Sequence, residues 1–194
     1  MKKANLLLAI VATVAISFSA LAGNEYKVNA KSSKLEWLAK KVTGQHNGAI
    51  SIKSGKLIFD GNKLSGGEFV IDMTTIAVLD LEEGSKMHGK LVGHLNSADF
   101  FDTSKFNEAN FKITSVKKAK SDAGNYEITG DLTIKGKTNS ITFPANVDKK
   151  SATAKIVFDR SKFDIRYGSN SFFDNLGDKA IYDDVEMTVS LVTE

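Results

Sequence analysis

Apolar and polar residues alternate with a period of two along most of this chain. In YEITGDLTIKG, residues 126–136, Tyr126, Ile128, Gly130, Leu132 and Ile134 share one face, while Glu127, Thr129, Asp131, Thr133 and Lys135 share the other. That is the pattern of a half-buried strand, whose side chains point to alternate faces. The following segment repeats it, with Ile141, Phe143, Ala145 and Val147 against Thr142, Pro144, Asn146 and Asp148. KGKTNS between the two supplies turn chemistry, which predicts a hairpin. Pro144 has no amide hydrogen for a ladder and is expected at an edge or an outward, irregular position. Further runs occur at Leu35, Trp37 and Ala39, at Phe69, Ile71 and Met73, at Phe111 and Ile113, at Ile156 and Phe158, and at Val185, Met187, Val189 and Leu191. AISIKSGKLIFDG, residues 49–61, adds two short runs around Ser54 and Gly55. The total is about eight strands, the number at which an all-β antiparallel sheet closes into a barrel. Such a barrel is filled by its own side chains or holds one small ligand.

Only residues 83–95, EGSKMHGKLVGHL, break the period. Met87, Leu91 and Leu95 recur there at helical spacing, which predicts a short helix crossing one barrel end. Gly89 and Gly93 limit its length. The tail that follows contains Phe100 and Phe101 between Asp99 and Asp102. Regular structure sends adjacent side chains to different faces, so one ring is expected to pack under the barrel and the other to face its mouth, with helix and tail acting as a lid. No linker, repeat or change of composition interrupts the chain, which reads as one domain.

The N-terminus carries a different signal. Lys2 and Lys3 precede an apolar run over residues 6–16, and Ala20-Leu21-Ala22 offers small residues at the spacing a signal peptidase reads. Residues 1–22 are therefore expected to be a signal peptide cleaved after Ala22, leaving 23–194 in a periplasm or outside the cell. The rival is an uncleaved anchor, since residues 4–23 are uncharged and about long enough to span a bilayer. No cysteine occurs anywhere, so lipid attachment at a terminal cysteine is excluded and the domain does not rely on disulfides. Without Lys2 and Lys3 the balance is 24 basic to 23 acidic residues, which argues against a nucleic-acid partner. Lys117, Lys118 and Lys120 form the densest basic patch and, with no aromatic between them, read as solvated surface.

Four blocks in order, GGEFVIDMTTI (66–76), GHLNSADFFD (93–102), GDLTIKGKTNSITFPANV (130–147) and FDRSKFDIRYGSNSFFDNLGDKAIYDDV (158–185), resemble the YceI-like family over residues 24–192. The resemblance implies an exported bacterial protein with a lipocalin-like, extended antiparallel β-barrel. It also implies a long apolar ligand, above all a polyisoprenoid such as a quinone-type chain, or a fatty amide. Two positions depart from the family pattern: Asp164 stands where many relatives have glycine, and Asn170 where a second glycine is expected after Gly168. Both residue types are compatible with turns.

The candidate lining of a lipid tunnel is Trp37, Phe69, Phe101, Phe111, Phe143, Phe158 and Tyr167, with the aliphatic Ile71 and Leu132. Without the resemblance, inward aromatics of this kind read as a filled core. His94 and Arg160 are the candidates for the rim or a ligand head group. For Asp159-Arg160 a structural corner, locking the turn into SKFDIRYGS by side-chain to backbone hydrogen bonds or an ion pair, is favoured over ligand contact because the flank is rich in turn residues. His88 and His94 are six apart and His46 is remote, so no metal set forms. Asp72, Asp80, Glu82 and Glu83 lack the spacing and glycine of an EF-hand, and like Asp183 and Asp184 read as solvated carboxylates. No nucleophile elbow, phosphate loop or dinucleotide fingerprint occurs. The reading is a binding protein without a catalytic site or resident cofactor, apart from bound isoprenoid lipid. Its alternatives are an enzyme acting on such a lipid through His94 and a rim acid, and a ligand-free envelope-stress protein with a filled barrel. Pairing of two chains through an exposed barrel edge stays open.

Overall fold

Each alternating run becomes a strand in the computed structural model, which describes residues 23–119 and 123–194. The expected signal peptide and Lys120 lie outside the described residues. The strands are β1 (Asn24–Lys27), β2 (Lys34–Lys41), β3 (Gly44–Asp60), β4 (Lys63–Val78), β5 (Glu108–Lys118), β6 (Tyr126–Ile134), β7 (Lys137–Val147), β8 (Ser151–Asp159) and β9 (Ile181–Val192). All pairings are antiparallel. From β2 to β9 each strand pairs with the next, and β2 pairs with β9, so eight strands close a barrel. β1 is a ninth strand laid along the far end of β3.

Two local readings change. Residues 49–61 were expected as two short runs, whereas β3 continues through Ser54 and Gly55 as one 17-residue strand. The register against β4 slips between Ile52 and Ser54, so a bulge, which keeps pairing on both sides while bending the strand, replaces a turn. The β6–β7 hairpin turns in two residues, Lys135 and Gly136, both with positive φ (50° and 70°), the twist that suits a tight hairpin.

The helix α1 spans Lys86–Asn96 and is capped by Ser85, whose Oγ accepts from the His88 amide. Leu95 is buried and Leu91 half-buried, but Met87 is 64% exposed. The first turn leaves its apolar residue in solvent, so helical spacing overstated the apolar face by one turn. Asp164 adopts φ 61°, the left-handed conformation that glycine and, among other residues, Asn and Asp accept most readily. Among the described residues no helix is long and apolar enough to cross a bilayer.

Candidate functional site: an apolar cavity inside the barrel

Inward side chains pack into two cores. One gathers Leu57, Phe59, Leu64 and Ile128 near β1, and the other gathers Phe163, Ile165, Phe100 and Leu95 under α1. Ile50, Ile71, Phe111, Ile141 and Met187 touch both cores, yet each is only half-buried. They face a cavity of about 210 Å³ at the barrel's waist, with walls from all eight ring strands plus Leu95, Phe100, Phe101 and Arg160. Aromatic rings tile one side: Phe69 and Phe111 stack at 6.3 Å, and Phe111 leans on Phe143 at 5.6 Å. Gly130 makes room for this, because a Cβ there would collide with the Phe111 ring.

Of the candidate lining residues, Trp37, Phe69, Ile71, Phe101, Phe111, Leu132, Phe143 and Phe158 border the cavity. Tyr167 does not: it is 50% exposed and packs outside the barrel on His94, with ring centroids 4.3 Å apart. Tyr167 belongs to the loop before β9, where period two carries no information about facing. Phe100 is buried and Phe101 half-buried, and both are at the wall. Met187, Ile50, Ile141 and Ile156 are also in the wall; they fall in the alternating runs, but nothing set them apart from a filled core.

The two head-group candidates have other roles. His94 is away from the cavity wall, packed between Phe100 and Tyr167, and its buried Nε2 has no partner. Arg160 is 1% exposed. Its Nε donates to Tyr182 O at 3.3 Å, Nη1 to Ile165 O at 3.0 Å and Tyr167 O at 2.8 Å, and Nη2 to Ile181 O at 3.1 Å. A guanidinium has five donors, and the one left over is on the side of Asp183, whose Oδ1 stands 3.2 Å from Nη2 in an ion pair without hydrogen-bond alignment. Burial lowers the Arg160 pKa from its ordinary value, while Asp183 and Asp159 oppose that shift; the group stays charged. Four of the five donors are spent on backbone carbonyls, so Arg160 anchors this turn as a structural corner while its side chain borders the cavity.

Asp183 corrects a second reading. It is no solvated carboxylate: besides pairing with Arg160, its Oδ2 accepts from Ser169 Oγ at 2.8 Å and Ser171 Oγ at 2.7 Å. Asp72 and Asp80 are likewise engaged. The Thr74 hydroxyl, then its amide, hold Asp72 below the usual carboxylate pKa. Burial raises the Asp80 pKa, but His46 Nδ1 at 2.8 Å and the Asn47 amide at 3.1 Å bring it below the usual value on balance.

Comparison with known proteins follows the geometry. Residues 26–193 match the model of the YceI-like domain. A UPF0312 protein of Vibrio cholerae is 33% identical over 153 residues, 75% of this chain and 74% of that protein. Protein YceI of Escherichia coli is 45% identical, over only 31% of this chain and 30% of its own length. Among solved structures, Burkholderia cenocepacia BcnA superposes with a TM-score of 0.65 at 24% identity, covering 86% of this chain and 99% of that one. A polyisoprenoid binding domain from Saccharophagus degradans, implicated in plant cell wall breakdown, gives 0.60 at 15% identity, over 87% and 97%. At these identities the two structures carry the fold.

Proposed function

Since the chain belongs to the YceI-like family, we propose that it is a binding protein that encloses the apolar tail of a long-chain lipid in its barrel. The favoured class is isoprenoid or quinone-type, with fatty amides as relatives in shape. One observation carries the reading: the cavity wall is built from apolar side chains save for Thr153 and Arg160, and the hydrogen bonds of Arg160 go to the backbone carbonyls of Ile165, Tyr167, Ile181 and Tyr182. Such a wall offers dispersion and desolvation without proton chemistry. Burying a methylene is worth about 0.8 kcal/mol, so an isoprene unit contributes roughly 3 to 4 kcal/mol gross, of which ordering a flexible chain consumes a part. The described polyisoprenoid binding neighbour supports the same ligand class. His94 lies off the wall, which removes the support for an acid–base reaction centred on it.

The N-terminal pattern of Lys2 and Lys3, an apolar run and Ala20-Leu21-Ala22 supports export, and hence carriage or sequestration of the lipid in an aqueous envelope compartment. Trp37, the sole tryptophan, borders the cavity and serves as reporter. Titrating the domain with a quinone bearing a decyl tail should quench Trp37 emission to saturation at one quinone per chain, with one adduct in native mass spectrometry. Absence of both signals would refute the reading in favour of a filled barrel.

A further inference from the structure

β7 and β8 share the shortest ladder of the barrel. Only Ala145↔Ala154, Asn146↔Thr153 and Val147↔Ala152 pair, although β7 continues along β6 back to Lys137 and β8 continues along β9 to Asp159. Pro144 explains where the ladder stops. The two-residue turn at Lys135 and Gly136 makes Ile134↔Lys137 a hydrogen-bonded pair, and hydrogen-bonded and open pairs alternate from there. Thr133/Thr138, Asp131/Ser140, Thr129/Thr142 and Glu127/Pro144 are the open pairs. Their side chains agree, since open pairs bring side chains closer: the Thr133 and Thr138 hydroxyls are 2.7 Å apart, and those of Thr129 and Thr142 2.8 Å. The backbone nitrogens of Thr142 and Pro144 therefore face β8. The rung after Asn146↔Thr153 needs an N–H from position 144, and proline has none.

Above that missing rung the strands run unpaired, up to Asn139, whose Nδ2 donates to Lys162 O at 2.9 Å. Ile141 and Phe143 on one side and Ile156 and Phe158 on the other put cavity wall directly behind the seam. Thr153, at the foot of the seam, is the one exposed residue among those bordering the cavity. The next shortest ladder, β4–β5, has five pairs and is extended at one end by the Met73 amide donating to Asn107 O, while farther along β4 the Leu64 amide donates to Tyr126 Oη of β6. The cavity of about 210 Å³ is also below the roughly 300–1,000 Å³ of sites that bury drug-sized ligands. A long chain thus requires the barrel to widen, and the seam is where widening breaks no ladder bonds.

We propose that the seam between β7 and β8 is the portal through which an apolar chain passes side-on into the cavity, the two strands parting as it loads. The inference rests on the binding function proposed above. Val157, 56% exposed on β8 beside the seam, offers the arriving chain its first apolar contact.

The chain has no cysteine, so a double variant, Thr142→Cys with Val157→Cys, carries the only thiols. Both side chains are exposed, at positions that an extended ladder would pair. The strands are locked by oxidation or by a short thiol-bridging reagent, and uptake of the decyl-tailed quinone is followed by stopped-flow quenching of Trp37. Locking should slow uptake at least tenfold, and reducing the disulfide should restore it. Equal rates locked and reduced overturn the portal while leaving the binding function intact. A reduced protein that takes up no quinone overturns the binding function, and the portal with it. Pro144→Val gives an independent arm, because it supplies the missing N–H. A protected amide at position 144 together with slower uptake supports the portal, and a protected amide with unchanged uptake overturns it.

Discussion

Replacing Arg160 with methionine keeps most of the apolar stem and removes every hydrogen bond of the guanidinium. Four carbonyls then lose their donor, and Asp183 loses its cationic neighbour. The Ile165 carbonyl is buried with its residue, so it bears the full penalty of an unmet acceptor, about 1–3 kcal/mol. The other three are part-buried and recover some hydration, at about 1 kcal/mol each. Asp183 keeps its two serine donors, which moderates the cost of stranding its charge. The expected loss is roughly 4–6 kcal/mol out of a total of about 5–15. For a domain of this size that lowers the melting temperature by roughly 10–20 °C. Arg160→Lys should lose nearly as much, because an ammonium retains the charge but cannot span four carbonyls in one plane. Urea unfolding followed by Trp37 emission and far-ultraviolet circular dichroism measures both, provided the two probes coincide and the slope is unchanged. A loss below about 1 kcal/mol in Arg160→Met, or a lysine variant matching the wild type, would refute the assignment of Arg160 as the anchor of the loop before β9.

Three further outcomes follow from the same geometry. Phe163→Ala, in the packed core under α1 at 1% exposure, should cost about 3–5 kcal/mol in urea unfolding; Phe111→Ala, facing the cavity, should cost distinctly less and raise the capacity for a bulkier quinone tail. Gly130→Val should drive its Cβ against the Phe111 ring and the Lys112 carbonyl, lowering stability in urea unfolding and weakening quinone quenching of Trp37. Stability should decline in acid: Asp72, bonded by Thr74, and Asp148, bonded by the Lys150 and Ser151 amides, are held below their ordinary value of 3.8. A carboxyl depressed in the folded state stabilises fully above its unfolded pKa, and that contribution is lost as the pH falls through about 4 toward the folded value. Asp72→Asn and Asp148→Asn should flatten the decline between about pH 5 and 2, and an unchanged slope in the double variant would count against these hydrogen bonds.

The strands β2 and β4 to β9, their inward faces and a hairpin within residues 135–140 were legible in the sequence because they are local: alternation and turn chemistry act between residues close along the chain, whereas the short β1 and the continuity of β3 were not read. Seven of the nine candidate wall residues, Trp37, Phe69, Ile71, Phe111, Leu132, Phe143 and Phe158, lie where that periodicity points them, and Phe101 reaches the wall from the turn after α1. Tyr167 fails because it lies in a loop, where no period dictates a face. The turn-rich flank of Asp159-Arg160 suggested a structural corner, but Arg160 and Asp183 are 23 positions apart, and neither their ion pair nor the particular carbonyls that accept from the guanidinium leave a local trace. Pro144 was visible as an interruption, yet only the parity of the β6–β7 pairing turns its missing hydrogen toward β8. Whether the barrel is hollow is likewise a tertiary fact. Alternation places Ile50, Ile71, Phe111, Ile141 and Met187 inside, but the space left between them is set by how eight strands close together, and no single strand encodes that volume.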